Sequence, residues 1–276
     1  MRVGAATLNM DSAWWGTSMS LPGEERARLM AFERALPGAI IVNSNGERYM
    51  NEAASYHIAG QRMLACDSDA ARTIPSWMVF DAKYRASYPV GPVIPDFPDW
   101  LQPSSVQSVL TRAATLEELA RKTQLPVERL LATIARFNSN ARLGTDPDFK
   151  RGESAYDRYY GDPRVGPNPT LRALETAPYY AIPVYPGDIG TNGGLATNEN
   201  AQVLDGGGAP IPGLYAAGNM AATVMGHSYP AAGATLGPGM TFGYIAGRHA
   251  AAWVPTPWPA ASPASRPPRE DPAAGR

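Results

Sequence analysis

The sequence has one cysteine, Cys66, in 276 residues. A single thiol closes no disulfide within the chain, and no CxxC pair or Cys/His cluster is present to hold zinc or attach a haem. An excess of charge of either sign is also missing. Lys and Arg number 24 against 25 Asp and Glu, a net charge of −1, which excludes a global electrostatic pull toward nucleic acid or an anionic membrane. Partners therefore have to be read from local sites. No window approaches the roughly 20 apolar residues of a bilayer span, and residues 1–16 lack a sustained apolar stretch followed by a cleavage site. A reducing compartment, the cytoplasm, is the expectation.

What the chain does have is apolar material and punctuation. Hydrophobic residues make up 44% and charged residues 18%, enough for a buried core and too little charge for a solvated disordered chain. The 27 glycines and 27 prolines predict many turns between short elements rather than a helical bundle. Residues 3–15 carry Ala5, Ala6, Leu8, Met10, Trp14 and Trp15 near helical spacing, which predicts a helix with no cap before it. Residues 38–43, an Asn45-Gly46 turn and residues 47–49 read as a β-hairpin, and residues 77–81 as a strand. Residues 115–123 and 126–140 read as consecutive helices, the second with Leu130, Leu131, Ile134 and Phe137 on one stripe. Residues 144–169 are expected to be an ordered loop. Residues 179–185 predict a strand, and residues 187–194 a glycine-rich turn toward Val203 and Leu204. Residues 253–276, rich in proline with little to bury, predict a disordered tail.

The chemistry concentrates in residues 213–247, GLYAAGNMAATVMGHSYPAAGATLGPGMTFGYIAG. A short apolar strand ends at Gly218 and Asn219, a loop follows, and a helix is expected from Gly233 through Met240, Phe242 and Ile245. Strand, glycine-rich loop and helix N-terminus together form an anion-receiving layout, because free amides and the positive helix end face one place. Ala234, Thr235 and Leu236 would offer those amides. The small residues Ala216, Ala217, Gly218 and Gly233 let backbone approach a flat ring. Pattern alone favours a ligand-free connection.

The wording of this segment closely resembles the C-terminal end of the 3-ketosteroid Δ1-dehydrogenases, flavoenzymes of the succinate dehydrogenase/fumarate reductase superfamily. Met10-Asp11-Ser12-Ala13-Trp14-Trp15-Gly16, Met50-Asn51-Glu52, Arg151-Gly152-Glu153-Ser154 and Tyr185-Pro186-Gly187-Asp188 resemble further phrases of that family at compatible spacing. The resemblance implies a mixed α+β and α/β fold: a remnant of the FAD-binding domain in residues 1–22, a catalytic domain in 23–190 and a returning FAD-domain segment in 191–252. It implies FAD as cofactor, with Gly218 and Asn219 facing the flavin and Ala234, Thr235 and Leu236 under the ring. It implies a steroid-like substrate and an external electron acceptor. Tyr229 and Gly233 would hold the 3-keto oxygen, Tyr56 would take the C2 proton, and hydride would leave C1 for the flavin. The family's third tyrosine and its GxGxxG fingerprint belong to a portion with no counterpart here, so a separate chain supplying the nucleotide-binding fold is expected. Two alternatives stand beside this reading: a flavin oxidoreductase of another enone or 2-enoate, and an inactive fragment. The Tyr229 loop carries Ala231 and Ala232 where the family usually has glycine and proline, which implies a changed pocket shape. His57 and His227 read as structural, Tyr156, Tyr159 and Tyr160 as packing, and nothing in the sequence brings Asp188 to Glu52.

Overall fold

The chain is organised on one antiparallel sheet whose two faces are both buried. The computed structural model describes residues 3–252, with ten strands and seven helices among them. In chain order these are β1 (Thr7–Leu8), β2 (Ala13–Met19), β3 (Arg28–Leu29), β4 (Ala39–Val42), α1 (Tyr56–Cys66), β5 (Ser76–Asp81), α2 (Ala82–Ser87), α3 (Ser104–Gln107) and β6 (Thr111–Ala113). There follow α4 (Leu116–Thr123), α5 (Val127–Arg142), α6 (Ala155–Tyr159), β7 (Tyr179–Thr191), β8 (Gly194–Leu195), β9 (Gln202–Leu204), β10 (Pro210–Tyr215) and α7 (Leu236–Ala252).

The large sheet runs β3-β2-β7-β5-β4, with β6 also paired to β7, and every pairing is antiparallel. Alternation along its strands divides the core. Ile41, Met78, Phe80, Ile182 and Val184 point to one face with Met63 of α1 and Tyr84 of α2. Ile40, Val42, Val79 and Ala181 point to the other, covered by Leu119 of α4 and Leu130, Ile134 and Phe137 of α5. Both helices lie close to where their periodicity predicts them. Thr115 caps α4 by accepting from Glu118 N at 3.2 Å, and Glu118 accepts from Ala114 N at 2.8 Å, a capping-box arrangement. Two two-stranded pairs, β1 with β8 and β9 with β10, lie outside this sheet.

Three expectations fail for physical reasons. The helix expected over residues 3–15 is instead β1, a turn and β2. Tryptophan and threonine favour a pleated surface, Gly16 disfavours a helix interior, and β7 supplies five paired positions opposite β2. The turn expected at residues 187–194 is largely strand, with Gly187, Asp188 and Thr191 opposite Gly16, Trp15 and Ala13. Its glycines serve close approach rather than chain reversal: a methyl at Gly190 would stand 2.7 Å from Asn219 Nδ2. The second arm of the expected hairpin contracts to a bridge between Arg48 and Val42. The expected loop at 144–169 is ordered and contains α6. Residues 253–276, expected as a disordered tail, lie outside the described residues.

Candidate active site

Tyr56 is the first residue of α1, and two features fix where that helix begins. Ser55 Oγ accepts from Ile58 N at 3.3 Å, satisfying one of the orphan amides of the first turn. Upstream, the buried Glu52 carboxylate accepts from Arg48 Nε at 2.8 Å and Nη2 at 2.6 Å, from Arg151 Nη1 at 3.2 Å and from Ile41 N at 3.1 Å. Asp146 closes on the other side of Arg48 at 2.8 Å. Burial alone would raise Glu52, but Arg48 and Arg151 outweigh it and hold the carboxyl below its ordinary range. Arg34 Nη2 donates to the Ala54 carbonyl at 2.6 Å. The Asn51-Glu52 phrase is thus an anchor for the Tyr56 backbone.

α1 then crosses β2 at two glycines. A methyl at Gly60 would stand 2.7 Å from Gly16 N and 2.9 Å from Trp15 Cβ. This contact places α1 beside Trp14, whose side chain is buried. On the other side of Trp14 lies the Tyr229 loop. The Tyr229 ring is 5.0 Å from that of Tyr56 and 5.1 Å, edge-on, from that of Trp14. His57 Nε2–H donates to the His227 carbonyl at 2.9 Å and Gln61 Nε2 to the same oxygen at 3.2 Å, so α1 holds both tyrosines in register. His57 is 1% exposed and engages its Nε2 in this backbone contact. Trp14 is visible in advance only as a member of the Met10–Gly16 phrase, and Gln61 carries no motif signal. Burial raises the Tyr56 phenol well above its ordinary value, and the neighbouring phenols of Tyr229, Tyr156 and Tyr160 add to the effect. Gly233 shares the loop with Tyr229 at φ +92° and is exposed.

Behind Trp14 opens a cleft of about 390 Å³, a volume that includes space open to solvent. Gly218, Asn219, Ala234 and Thr235 all line it, together with Trp14 and Asn192. Trp14 Nε1 donates to Asn219 Oδ1 at 3.4 Å, and Thr191 Oγ1 donates to the Asn219 carbonyl at 3.0 Å. The flavin-side and tyrosine-side residues therefore meet through one indole. Two details of the expected helix end change. α7 begins at Leu236, not Gly233, and the Leu236 side chain points to solvent away from the cleft lining. The Ala234 amide donates to the Ala231 carbonyl at 3.2 Å within the loop, so it is not free for a ligand. The amides of Thr235 and Leu236 have no backbone acceptor. Among the described residues no group of His, Cys, Asp and Glu could hold a metal ion, and no helix is long and apolar enough to cross a membrane.

The model of the FAD binding domain family matches residues 1–236. The chain belongs to that family. It is 47% identical over 257 residues to a 3-oxosteroid 1-dehydrogenase of Mycobacterium tuberculosis, covering 91% of this chain and 45% of the relative. It is 45% identical over 260 residues to a 4-oxocyclohexanecarboxylate 2-dehydrogenase of Sinomonas cyclohexanicum, covering 90% and 43%. Among solved structures, 3-ketosteroid delta1-dehydrogenase from Sterolibacterium denitrificans in complex with 1,4-androstadiene-3,17-dione superposes with a TM-score of 0.85 at 43% identity, over 91% of this chain and 45% of that one. The chain spans less than half the length of the curated relatives it matches.

Membership makes FAD the group against which the cleft is to be judged, and the residues fit one wall of a flavin site. Gly218 sits at φ +65° with only Gly239 Cα near its open side, so backbone can lie flat against a ring. The Thr235 amide, with no backbone acceptor, is a free donor in the cleft wall. The Asn192 side chain, with no partner at either end, adds a polar group at the cleft wall.

Proposed function

We propose that this chain carries the substrate-carbonyl clamp, the proton acceptor and one wall of the flavin site for desaturation of a six-membered ring ketone, first of all the A ring of a 3-ketosteroid. The observation that carries the reading is the packing of the Tyr56 and Tyr229 rings, tilted at 52° with centroids 5.0 Å apart, joined through Trp14 to the cleft that collects Gly218, Asn219, Ala234 and Thr235. Tyr229 O–H and the Gly233 amide polarise the ketone oxygen, which acidifies the adjacent C–H. Tyr56 takes that proton. FAD, when bound, supplies the hydride acceptor. An apolar groove along Val224, Met225, Pro230, Ala232 and Phe242 receives the hydrocarbon body.

In this reading residues 23–190 bring Tyr56, and residues 191–252 bring Tyr229 and the flavin wall. An external acceptor reoxidises the flavin, and the setting is the cytoplasm. A second substrate class is favoured by one specific observation: a relative at 45% identity is named for a monocyclic oxo acid. Steroid A ring and 4-oxocyclohexane share the reacting unit, a ring ketone with an adjacent CH–CH bond. The Ala231-Ala232 pair beside Tyr229 is where the two would be told apart.

The test is to purify the chain with FAD, read its flavin absorbance, and assay 4-androstene-3,17-dione and 4-oxocyclohexanecarboxylate with an artificial acceptor. Turnover of the steroid supports the leading reading, and turnover of the small ring alone replaces it. Flavin-free, inactive protein overturns autonomous catalysis. In active protein Tyr229→Phe is expected to lower kcat about 10²-fold with flavin content unchanged, since one carbonyl donor is lost.

A further inference from the structure

We propose that Asn192 is a bidentate hydrogen-bonding contact to the pyrimidine edge of the flavin. The inference rests on the flavin reading of the cleft and adds a residue to it. Asn192 follows the last residue of β7 and is 1% exposed, yet neither its Oδ1 nor its Nδ2 has a partner. Its backbone is pinned, because the carbonyl accepts from Thr223 N at 3.2 Å. The side chain lines the cleft beside Asn219 and Thr235. Neighbouring polar groups are occupied internally: Asn219 accepts from Trp14, Thr191 Oγ1 donates to the Asn219 carbonyl, and Thr223 Oγ1 accepts from Met225 N at 3.2 Å. A buried carboxamide unpaired at both ends is unfavourable, and native proteins keep such groups where something else completes them.

What completes a carboxamide is set by its shape. It offers one acceptor and one donor side by side, and the complement is a ring O=C–N–H. An isoalloxazine carries that unit only at its pyrimidine end, where N3–H lies between two carbonyls; its other end is a dimethylbenzene with nothing to bond. Oδ1 of Asn192 accepts from N3–H while Nδ2 donates to an adjacent carbonyl. The Thr235 amide, which has no backbone acceptor, lies at the same cleft, where negative charge would gather on a reduced ring. The competing occupant is a lone water, for which about 20 Å³ of free space in the cleft is sufficient.

The experiment uses the full chain loaded with FAD and two replacements. Asn192→Leu keeps the volume and removes both bonding ends, whereas Asn192→Asp keeps an acceptor and turns the donor into a negative charge. Asn192→Leu is expected to weaken flavin affinity, read by fluorescence titration, by ten- to a hundredfold with the thermal transition unchanged. Asn192→Asp is expected to lower the flavin midpoint potential, because the added charge opposes the reduced anion; a tenfold bias between redox states is about 30 mV for a two-electron couple. The potential measured on the Asp variant decides the matter if the Leu variant does not fold. Unchanged affinity and potential in both variants would mean that a water alone satisfies Asn192, and the proposal is overturned. If the unsubstituted chain binds no flavin at any concentration, the flavin reading itself fails and the role of Asn192 with it.

Discussion

Tyr56 is positioned as a base in surroundings that keep its proton on. An unperturbed phenol titrates near 10, and burial among other phenols raises this one further, so at neutral pH the ionised fraction is below about 10⁻³. Because a raised pKa delays ionisation to higher pH, kcat/KM of flavin-loaded protein is expected to climb through pH 9 and beyond without levelling. A plateau near neutrality in the pH profile would refute the neutral resting state. Glu52 makes the complementary residue-scale case. Glu52→Ala would leave Arg48 and Arg151 buried with one carboxylate fewer, a change expected to cost about 3–5 kcal/mol in urea unfolding. Both residues were visible as members of a phrase. Their surroundings were not, because Arg151 reaches Glu52, and Asp146 reaches Arg48, only through the fold.

At the scale of elements, legibility followed how much of each signal is local. α4 and α5 announce themselves with a capping threonine and a stripe of Leu130, Ile134 and Phe137 that a neighbouring layer then buries. β2 does not. Its register comes from β7, some 170 residues downstream, and its own apolar residues, buried on both faces, mimic helical spacing. The same non-local pairing turns a glycine-rich stretch into the end of β7. What positions Tyr56 is likewise a contact between elements: α1 rests on β2 through Gly60 and Gly16. Gly60→Ala places a methyl within 3 Å of Gly16 and Trp15, backbone that cannot yield as a flexible side chain would. It is expected to destabilise the fold by about 1–3 kcal/mol and to move Tyr56 away from Tyr229. Thermal melting checks the first effect. Steroid turnover at saturating substrate checks the second, since a lost tyrosine pairing lowers kcat even where the protein stays folded.

Across the whole molecule, burial is distributed unevenly. The large sheet and its covering helices contain almost the entire core, whereas α7, 17 residues long, has no buried residue. Leu236, Met240 and Tyr244 on α7, with Met220 and Val224 nearby, are each more than 60% exposed. Helical periodicity can say that such residues share a neighbourhood; it cannot say what covers them, and here nothing within residues 3–252 does. Contiguous apolar surface beyond a few hundred Å² is unusual on a self-contained protein. The isolated chain is therefore expected to raise the fluorescence of a hydrophobic dye well above that of a monomeric control of similar size. Met240→Glu with Tyr244→Glu should remove most of that signal. Because neither side chain is buried, the thermal transition should move by no more than a degree or two, consistent with surface changes within about 0.5 kcal/mol. Loss of stability comparable to a core substitution would show that α7 packs inward after all. An unchanged dye signal would place the exposed apolar surface elsewhere on the molecule.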